Sequence, residues 1–546
     1  MKIEEPIHNP GNTPVFKQDL YSTAIFERFK LFNRSITIMH FRLAQVRTRA
    51  NQGIRAPAVS VEVHLSQGLP ALNIVGLPEA AVRESKDRVR SALINSGYDF
   101  PDGRITVNLA PADLPKEGGR YDLPIALGIL VASGQLPEST LDNREFLGEL
   151  ALSGQLRPVT AVLPASIACQ KKNRELIVAG RNANIAAMVK DAHITGVQNL
   201  QELCGYLNNK IQIEPTVAQA MDSPVNYPDL ADVRGQEQAR RALIIAATGG
   251  HHLLFFGAPG TGKTMLASRL PGILPPLTEA EALEVAAIYS LASSHLVPAW
   301  KQRPFRAPHH SSSSVSMVGG GSQPKPGEVS HAHRGVLFLD EMTEFQRQAL
   351  EMLREPLESG EVVITRAKGQ ETFPARFQLI GAMNPCPCGY LGDNKRQCRC
   401  TPDQIARYRN KLSGPLLDRI DLQVEVPSQN LQLLINDSPE CDKAPPVSST
   451  EIRAMVIQVR QQQLNRQGKI NALLSSKELF PVCGLGSEEK DFLIQAADRL
   501  NISARGLHRV LRVARTIADL AASETVLKKH LAEAFQYRQL DRQSLK

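Results

Sequence analysis

The clearest chemistry in the sequence belongs to a glycine-rich run, Gly257-Ala-Pro-Gly-Thr-Gly-Lys-Thr264. It matches the pattern G-x-x-x-x-G-K-[ST] in full, and it lies between a predicted buried strand and a predicted helix. Glycines in such a loop let backbone N–H groups turn toward phosphates, a lysine reaches the β and γ phosphates, and a hydroxyl binds magnesium. We expect a nucleoside triphosphate and Mg²⁺ to bind here, through Gly257, Ala258, Pro259, Gly260, Thr261, Gly262, Lys263 and Thr264.

Two further predicted strands end in polar residues that suit the same chemistry. One strand runs into Asp340 and Glu341, and a later one, residues 377–383, runs into Asn384. Successive side chains on a strand diverge, so Asp340 can join Thr264 in the magnesium shell while Glu341 polarises the attacking water. The amide of Asn384 could orient that water or the γ-phosphate.

Four of the eight cysteines lie within fifteen residues, as the pairs Cys386-x-Cys388 and Cys398-x-Cys400. The residues between the pairs include glycine, aspartate and asparagine, which favour turns that would bring the pairs together. Four thiolates suit a tetrahedral zinc ion with no open coordination position, so the predicted role is structural. Because C-x-C is tighter than the usual C-x-x-C, free thiols or a redox pair stay as alternatives.

Basic residues are concentrated around these cysteines. Residues 365–411 contain nine arginines and lysines against three acids, and nine minus three gives a net charge of +6. Within this region the sequence 360–377 predicts a β-hairpin, with Arg366 in its first strand and Lys368 and Gly369 at its tip. Arg366 and Lys368 are therefore candidate contacts for a phosphate backbone, and an ordinary solvated face is the alternative.

The whole chain has 546 residues, of which 42% are hydrophobic and 22% charged. At about 150 residues per domain, this length predicts three or four globular domains. No apolar run approaches the roughly 18 residues of a membrane span, so we expect no membrane segment. Sparse cysteines and the lack of a secretory signal predict a reducing, cytoplasmic location. The excess of 63 basic over 55 acidic residues, +8, permits a polyanionic partner.

Changes in composition and periodicity divide the chain into segments. Alternating apolar residues at 59–65 predict strands early in the chain, and Ser503 is expected to cap a helix near its end. The predicted segments are a flexible extension at 1–38 with Met39 as a possible true start, a mixed α and β domain at 39–213, a linker at 214–229, an α/β core at 230–427 that contains the cysteine cluster at 386–400, a linker at 428–449 and a helical domain at 450–546.

Two later motifs, Leu416-Leu-Asp-Arg-Ile-Asp421 and Ser503-Ala-Arg505, complete a recognisable set. With the motifs above, they resemble those of an AAA+ ATPase of the magnesium-chelatase and minichromosome-maintenance branch. The closer resemblance is to the ComM (YifB-like) family, and it spans the chain from about residue 39 to the end. It is carried by the segments 304–310, 319–321, 326–328, 334–341, 384–389 and 514–520.

This resemblance implies an α/β multidomain fold with a Lon-protease-like α+β N-terminal domain, an AAA+ P-loop core with a parallel sheet, and a C-terminal helical lid. It also implies a homohexameric ring with ATP at each subunit interface. Arg419 then corresponds to an arginine finger that acts on the neighbour's γ-phosphate. Arg505 corresponds to sensor 2 of the lid, a role that Arg509 or Arg512 could take instead. The hairpin at 360–377 corresponds to one that projects into the central pore and grips DNA.

The N-terminal domain lacks the catalytic groups of a Lon-type peptidase. Residues 108–124 and 147–154 resemble that fold, whose peptidases use a serine nucleophile and a lysine base. Here Arg120 stands where the serine belongs, and Leu163 stands near the place of the lysine. We expect this domain to be proteolytically inert, with a role in ring assembly or in contact with duplex DNA.

The expected function is that of a cytoplasmic, ring-forming ATPase that couples ATP hydrolysis to movement on DNA. The resemblance further implies a helicase that drives branch migration in recombination and natural transformation. ATP, Mg²⁺ and structural Zn²⁺ are the expected cofactors, and single-stranded and branched DNA are the expected partners. A metal-insertion motor of the magnesium-chelatase type is the alternative, and the missing dyad disfavours a Lon-type protease.

Overall fold

The computed structural model describes residues 43–218, 227–292, 300–321, 324–366, 369–393, 396–428 and 447–538. The predicted extension at 1–38, most of the second predicted linker and Lys368 lie outside these residues. Within them, no helix is long and apolar enough to cross a membrane. The predicted domain limits remain predictions, and the chain is described below as three successive units.

The first unit is built on a four-stranded sheet with the order β1-β2-β4-β3. Its strands are β1 Leu43–Arg49, β2 Ala58–Ser66, β3 Ala71–Val75 and β4 Arg104–Ala110. Val59, Val61, Val63 and Leu65 of β2 are all buried, as their alternation in the sequence predicts. Strand β3 is parallel to β4, and the other pairs are antiparallel.

A smaller parallel sheet in the same unit has the order β5-β8-β9. Its strands are β5 Arg144–Leu147, β8 Glu175–Ala179 and β9 Ile194–Val197, and an antiparallel pair is formed by β6 Glu149–Leu150 and β7 Leu156–Arg157. The α-helices of the unit are Ala80–Arg83, Ser85–Asn95, Asp122–Ala132, Val162–Gln170, Gly180–Ala186 and Leu200–Leu207. The unit is therefore an α+β structure, as predicted.

The helix Asp122–Ala132 is buried on nearly every side. It packs against β2 so closely that a Cβ atom on Gly128 would lie 2.4 Å from Val63 Cγ2. Glycine in a helix interior is normally unfavourable by about 1 kcal/mol relative to alanine. Its presence here is explained by the close approach of the helix to the sheet.

The second unit contains a five-stranded parallel sheet with the order β11-β14-β17-β10-β18. Its strands are β10 Leu253–Phe256, β11 Phe305–Arg306, β14 Val336–Leu339, β17 Gln378–Met383 and β18 Leu422–Glu425. Strands β10, β14 and β17 are buried along their whole length, as expected for a parallel sheet that helices cover on both faces. Because all five strands point the same way, the loops after their carboxyl ends share one edge.

Two antiparallel pairs accompany this sheet, β12 Gly319–Gly320 with β13 Lys325–Pro326 and β15 Glu361–Arg366 with β16 Gly369–Pro374. The α-helices of the second unit are Glu237–Gly249, Lys263–Ala267, Leu270–Ile273, Glu279–Ala292, Ser314–Val318, Glu328–His331, Arg347–Glu351, Arg354–Ser359, Pro402–Arg409 and Gly414–Leu417. This is the α/β architecture that the P-loop motif predicts.

The third unit is helical and shares an apolar core with the parallel sheet. Its α-helices are Ser449–Gln467, Ser476–Cys483, Ser487–Arg499, Ala504–Leu520 and Lys528–Gln536. Ser503 caps the helix that follows it by accepting a hydrogen bond from Gly506 N at 3.1 Å, as predicted. Leu511 of that helix joins Phe255 of β10 in one cluster of buried side chains.

Hydrogen bonds also clamp the start of the helical unit to the second unit. Ser449 Oγ accepts a hydrogen bond from Leu230 N at 2.7 Å, and Ser449 N donates one to Asp229 Oδ1 at 2.8 Å. Further along the same helix, Arg460 Nε donates to the carbonyl of Ala247 at 2.9 Å. Polar and apolar contacts therefore join the helical unit to the sheet unit.

The first unit contacts the second through the helix Glu279–Ala292. Ala286 of this helix belongs to the apolar cluster around the helix Val162–Gln170. The backbone N–H of Ala161 donates to the carbonyl of Ser290 at 2.7 Å. The two units therefore pack together through apolar side chains and at least this backbone hydrogen bond.

We expect Gly128→Ala to destabilise the first unit despite the higher helix propensity of alanine. The new methyl group would collide with Val63, and overpacking costs about 1–3 kcal/mol, against the roughly 1 kcal/mol that alanine gains in a helix. Thermal unfolding of the full-length protein should therefore show a lower midpoint for this variant.

Val63→Ala provides the matched test, because it removes the methyl group that Gly128 faces. Adding Gly128→Ala to Val63→Ala should be neutral or stabilising. A loss of stability as large as the one measured in the parent background would contradict the steric explanation.

Candidate functional site

The glycine-rich run forms a loop between β10 and the helix Lys263–Ala267, as predicted. The Lys263 ammonium folds back into this P-loop, where Nζ donates to the carbonyl oxygens of Gly257 at 2.8 Å and Ala258 at 2.9 Å. Burial lowers the pKa of Lys263, and two nearby carboxylates oppose that shift. The loop thus holds a buried cation, which suits the binding of phosphate groups.

Thr264 and Asp340 meet at the predicted magnesium position. The Thr264 hydroxyl donates to Asp340 Oδ2 at 2.7 Å. The other carboxylate oxygen of Asp340 accepts a hydrogen bond from the backbone N–H of Glu341 at 2.9 Å, which orients the carboxylate. Oxygen ligands, carboxylates above all, are those that Mg²⁺ prefers, so the pair fits a shared magnesium ion.

Glu341 has a left-handed backbone conformation, with φ 49°. Its side chain is 57% exposed, and its Oε2 atom lies 3.4 Å from His310 Nδ1. His310 comes from the loop after β11, and sequence spacing alone does not reveal this contact. The carboxylate of Glu341 is open to solvent, as a group that polarises water must be.

Asn384 follows β17, the strand between β10 and β14. Its Oδ1 atom lies 3.3 Å from Lys263 Nζ. The residues predicted to handle the triphosphate therefore converge at the carboxyl edge of the sheet, and they are Lys263, Thr264, Asp340, Glu341 and Asn384. Their individual catalytic roles stay predictions.

Arg419 lies near the opposite edge of the same sheet. It comes shortly before β18, and the backbone N–H groups of Asp421 and Leu422 donate to the carbonyl of His252, which precedes β10. The P-loop instead follows the carboxyl end of β10. The length of β10, about 3.3 Å for each residue, separates these two edges. Arg419 is therefore remote from Lys263 of its own chain.

The Arg419 guanidinium is held by its own chain, and its side chain is only 13% exposed. Nη1 donates to the carbonyl of Pro415 at 2.8 Å, and Nη2 forms an ion pair with Glu358. The hydrogen bond that Arg419 donates to Glu358 is the main reason that the pKa of Glu358 lies below its ordinary value. Arg419 also lines an open groove of about 730 Å³, together with Met352 and Val363.

Of the three candidate lid arginines, Arg505 is the exposed one. Arg509 Nη1 donates at 2.6 Å to the buried carboxylate of Asp421, just before β18. Arg512 Nε donates to the carbonyl of Leu474 at 2.9 Å. In the part of the chain that the structure describes, the side chain of Arg505 makes no hydrogen bond. After Arg419, its charge helps to lower the pKa of Glu358. Arg509, one helical turn after Arg505, donates to the carbonyl of Arg419 at 2.8 Å, so this part of the helix lies on the same side of the sheet as Arg419. Arg505 remains our candidate for sensor 2.

The four predicted zinc ligands come together in space. Their Sγ atoms all lie within 4.8 Å of one another, and no other group of three or more His, Cys, Asp or Glu side chains among the described residues is arranged in this way. Sγ of Cys386 lies 3.4 Å from that of Cys388 and 3.7 Å from that of Cys398. Tetrahedral Zn–S bonds of about 2.3 Å would place thiolates roughly 3.8 Å apart, so the cluster fits zinc.

The predicted hairpin is present as β15 and β16. Their register pairs Arg366 with Gly369. Lys368, predicted at the tip, lies outside the described residues. Strand β16 also contacts the first unit, because a Cβ atom on Gly53 would lie 2.8 Å from Glu371 Oε2.

Magnesium-chelatase family models and related proteins match this chain along nearly its whole length. The family model for magnesium chelatase, subunit ChlI, matches residues 229–434, that for subunit ChlI of Mg-chelatase matches 61–182, and that for the ChlI C-terminal region matches 446–538. The chain is 52% identical over 507 residues to Competence protein ComM of Haemophilus influenzae, an alignment that covers 92% of this chain and 98% of that protein. It is 49% identical over 502 residues to YifB of Escherichia coli, with the same coverage.

The chain belongs to the ComM/YifB family of magnesium-chelatase-type AAA+ ATPases. Membership confirms the resemblance seen in the motifs, and it implies ATP and Mg²⁺ as cofactors of the family. The likeness to the magnesium-chelatase 38 kDa subunit of Rhodobacter capsulatus is lower, at 27% identity over 351 residues, which cover 59% of this chain and 88% of that subunit.

The first unit of this ComM/YifB chain presents no Ser–Lys dyad at the two positions compared with Lon-type peptidases. Arg120 is buried, and its guanidinium donates to the carbonyls of Thr160 and Arg49. Burial lowers the pKa of Arg120. Leu163 is fully buried in the adjacent apolar cluster. These contacts are structural, and they support the prediction that the unit is proteolytically inert.

We expect Lys263→Ala and Glu341→Gln to separate nucleotide binding from hydrolysis. Loss of the buried ammonium should abolish binding of a fluorescent ATP analogue. Glu341→Gln keeps the side-chain shape but removes the carboxylate, so it should bind ATP and hydrolyse it about 100-fold or more slowly. Hydrolysis by Glu341→Gln at the parent rate would refute the role given to Glu341.

Arg419→Ala should leave ATP binding intact and lower turnover by on the order of 10³-fold or more, as loss of an arginine finger does. Glu358→Gln is the matched control, because it removes the ion-pair partner and keeps the guanidinium. Its turnover should stay near that of the parent in the same steady-state assay.

Mixing two inactive variants tests whether Arg419 acts on a neighbour. In a mixed ring, some interfaces join an Arg419→Ala subunit to a Lys263→Ala subunit. At such an interface the first subunit can supply an intact Lys263 and the second an intact Arg419. ATP hydrolysis should therefore recover in part on mixing. The absence of any recovery from a ring that has formed would contradict the trans-acting assignment.

Proposed function

We propose that this protein is a cytoplasmic, homohexameric ring ATPase that couples ATP hydrolysis to movement along DNA. Its specific activity would be that of a helicase driving branch migration of recombination intermediates, including those formed in natural transformation. The observation that carries this proposal is the match to Competence protein ComM over 98% of that protein's length.

The placement of the arginines supports assembly into a ring. Lys263 and Asn384 lie at one edge of the parallel sheet, whereas Arg419 and the helix turn that carries Arg505 and Arg509 lie at the other. One subunit therefore has the phosphate-binding half of a site without the arginine half. Head-to-tail contact between copies would complete each site, and contacts of that type generate closed rings.

The position of the hairpin supports coupling between DNA and ATP. Strand β16 ends at Pro374, and β17 begins at Gln378 and leads to Asn384. A force on the hairpin would thus be transmitted along a short, continuous piece of backbone to a residue beside Lys263. This route links the proposed DNA contact to the proposed phosphate contact.

Exposed cations around the cysteine cluster would favour a polyanion. Among the side chains that the structure describes here, the exposed basic ones are Arg376, Arg396, Arg399, Arg407 and Lys411. Contacts of such side chains with phosphates do not depend on base sequence and weaken as the salt concentration rises. A motor that moves along DNA of any sequence requires this type of contact.

A metal-insertion motor is the second candidate, because of the likeness to the magnesium-chelatase 38 kDa subunit. That alignment occupies only 59% of this chain, whereas the alignment with ComM occupies 92%. The basic hairpin region and the cysteine cluster also have no evident use in such a motor. We therefore favour DNA as the partner.

ATP hydrolysis should be stimulated by single-stranded or branched DNA. In the presence of ATP, we expect the same protein to drive strand exchange on synthetic three- and four-way DNA junctions. Lys263→Ala is the inactive control. If a protein partner stimulates hydrolysis and neither DNA does, the DNA proposal is wrong.

The hairpin can be tested within the same assay. Arg366→Ala combined with Lys368→Ala should remove most of the DNA stimulation and leave the DNA-free hydrolysis rate unchanged. Lys172→Ala, an exposed lysine of the first unit, is the matched control and should behave like the parent. Equal stimulation of all three proteins would exclude the hairpin as the DNA contact.

A further inference from the structure

We propose that the cysteine module, defined as residues 386–393 and 396–400, positions the residues that contact the nucleotide, so that its metal controls ATP binding and turnover. This inference rests on the ATPase part of the proposed function and is independent of DNA. It gives the four-cysteine site a role beyond local folding. Three separate contacts between the module and the nucleotide site carry it.

The first contact is the chain itself. Asn384, which lies 3.3 Å from Lys263 Nζ, is followed after one residue by Cys386. Cys386 is fully buried, unlike the three other cysteines of the module. The Pro385 carbonyl between them accepts a hydrogen bond from Arg409 Nε at 3.2 Å. A metal held by Cys386 would therefore fix the backbone immediately beyond Asn384.

The second contact joins the module to the P-loop. Gly389 N donates to the carbonyl of Cys386 at 3.0 Å, which closes a tight turn next to the metal ligands. Gly389 has φ +83°, and a Cβ atom there would lie only 2.8 Å from Pro259 Cδ. The turn therefore rests directly on the P-loop, and glycine is required both by its backbone conformation and by this close approach.

The third contact reaches the residues after Asp340. The helix Pro402–Arg409 begins two residues after Cys400, so it continues from the last metal ligand. Near the end of this helix, Tyr408 accepts a hydrogen bond from the hydroxyl of Thr343 at 2.6 Å, and both side chains are buried. Thr343 is three residues from Asp340. The module is thus connected to all three segments that meet at the nucleotide site.

The metal would hold these contacts together because its ligands come from both ends of the module. Cys386 and Cys388 precede the loop that separates the two pairs, and Cys398 and Cys400 follow it. Binding free energy at a site of this kind is spent on ordering the segments that carry the ligands. Without the metal, the two pairs of thiols lose their link, and the turn on Pro259 and the backbone beyond Asn384 lose their support.

The first experiment removes the metal from the full-length protein by Cys398→Ser. Zinc content is measured by elemental mass spectrometry, ATP affinity with a fluorescent analogue, and turnover without DNA. We expect about one zinc ion per parent chain, its loss in the variant, and a fall in kcat on the order of 100-fold, as misplacement of reacting groups by about 1 Å produces. Cys204→Ala, in the core of the first unit, should retain zinc and parent activity.

The second experiment keeps the four thiols and disturbs only the contact with the P-loop. Gly389→Ala should retain zinc but lose ATP affinity and turnover by at least tenfold, because its methyl group would displace Pro259. Gly392→Ala is the matched control. It has a similar φ of +81°, but among the described residues the nearest atom to its Cβ is 3.7 Å away, on Glu425. It should carry the same backbone strain and stay within about threefold of the parent.

Each outcome decides the proposal. It is overturned if freshly purified parent protein contains no metal, if zinc-free Cys398→Ser binds and hydrolyses ATP like the parent, or if the two glycine variants behave alike. If Cys398→Ser does not fold, the comparison of Gly389→Ala with Gly392→Ala still decides. A parent protein that hydrolyses ATP but ignores DNA would disprove the proposed DNA function and leave this inference standing.

Discussion

The common direction of β10, β14, β17 and β18 is the constraint on which the arrangement of the whole site depends. Because these strands are parallel, the P-loop, Asp340 and Asn384 must all follow carboxyl ends and meet at one edge. By the same rule, residues that precede β18 must lie at the other edge, and Arg419 is one of them. A single geometric property of the sheet thus gathers the groups predicted to bind phosphate and separates Arg419 from them.

Much of this site could be predicted because its residues are local in sequence. A strand, a glycine-rich loop and a helix are contiguous, so the motif at 257–264 already contains the geometry that it requires. The capping role of Ser503 is local in the same sense, since its hydrogen-bond partner lies three residues away. Likewise, the alternation of apolar residues in β2 is enough to predict which of its side chains are buried.

The remainder depends on contacts between distant parts of the chain. Our preference for Arg505 over Arg509 and Arg512 as the sensor 2 candidate depends on contacts between distant residues. The carboxylate of Asp421, for example, binds Arg509 from 88 residues away, and helix periodicity does not reveal this contact. The 3.4 Å approach of His310 to Glu341 and the seat of Gly389 on the P-loop are of the same kind. In each case the residues involved come from different elements, and only the assembled sheet determines that they are neighbours.

The clamp around Ser449 has a mechanical consequence. Leu230 and Asp229 bind the beginning of the helical unit, and Leu511 shares a core with the sheet farther along. Rotation of the helices against the sheet would break these hydrogen bonds and open an apolar interior to water. In this conformation the described parts of the second and third units are therefore held together as one body at this joint, and a change in their relative orientation would have to break these contacts first.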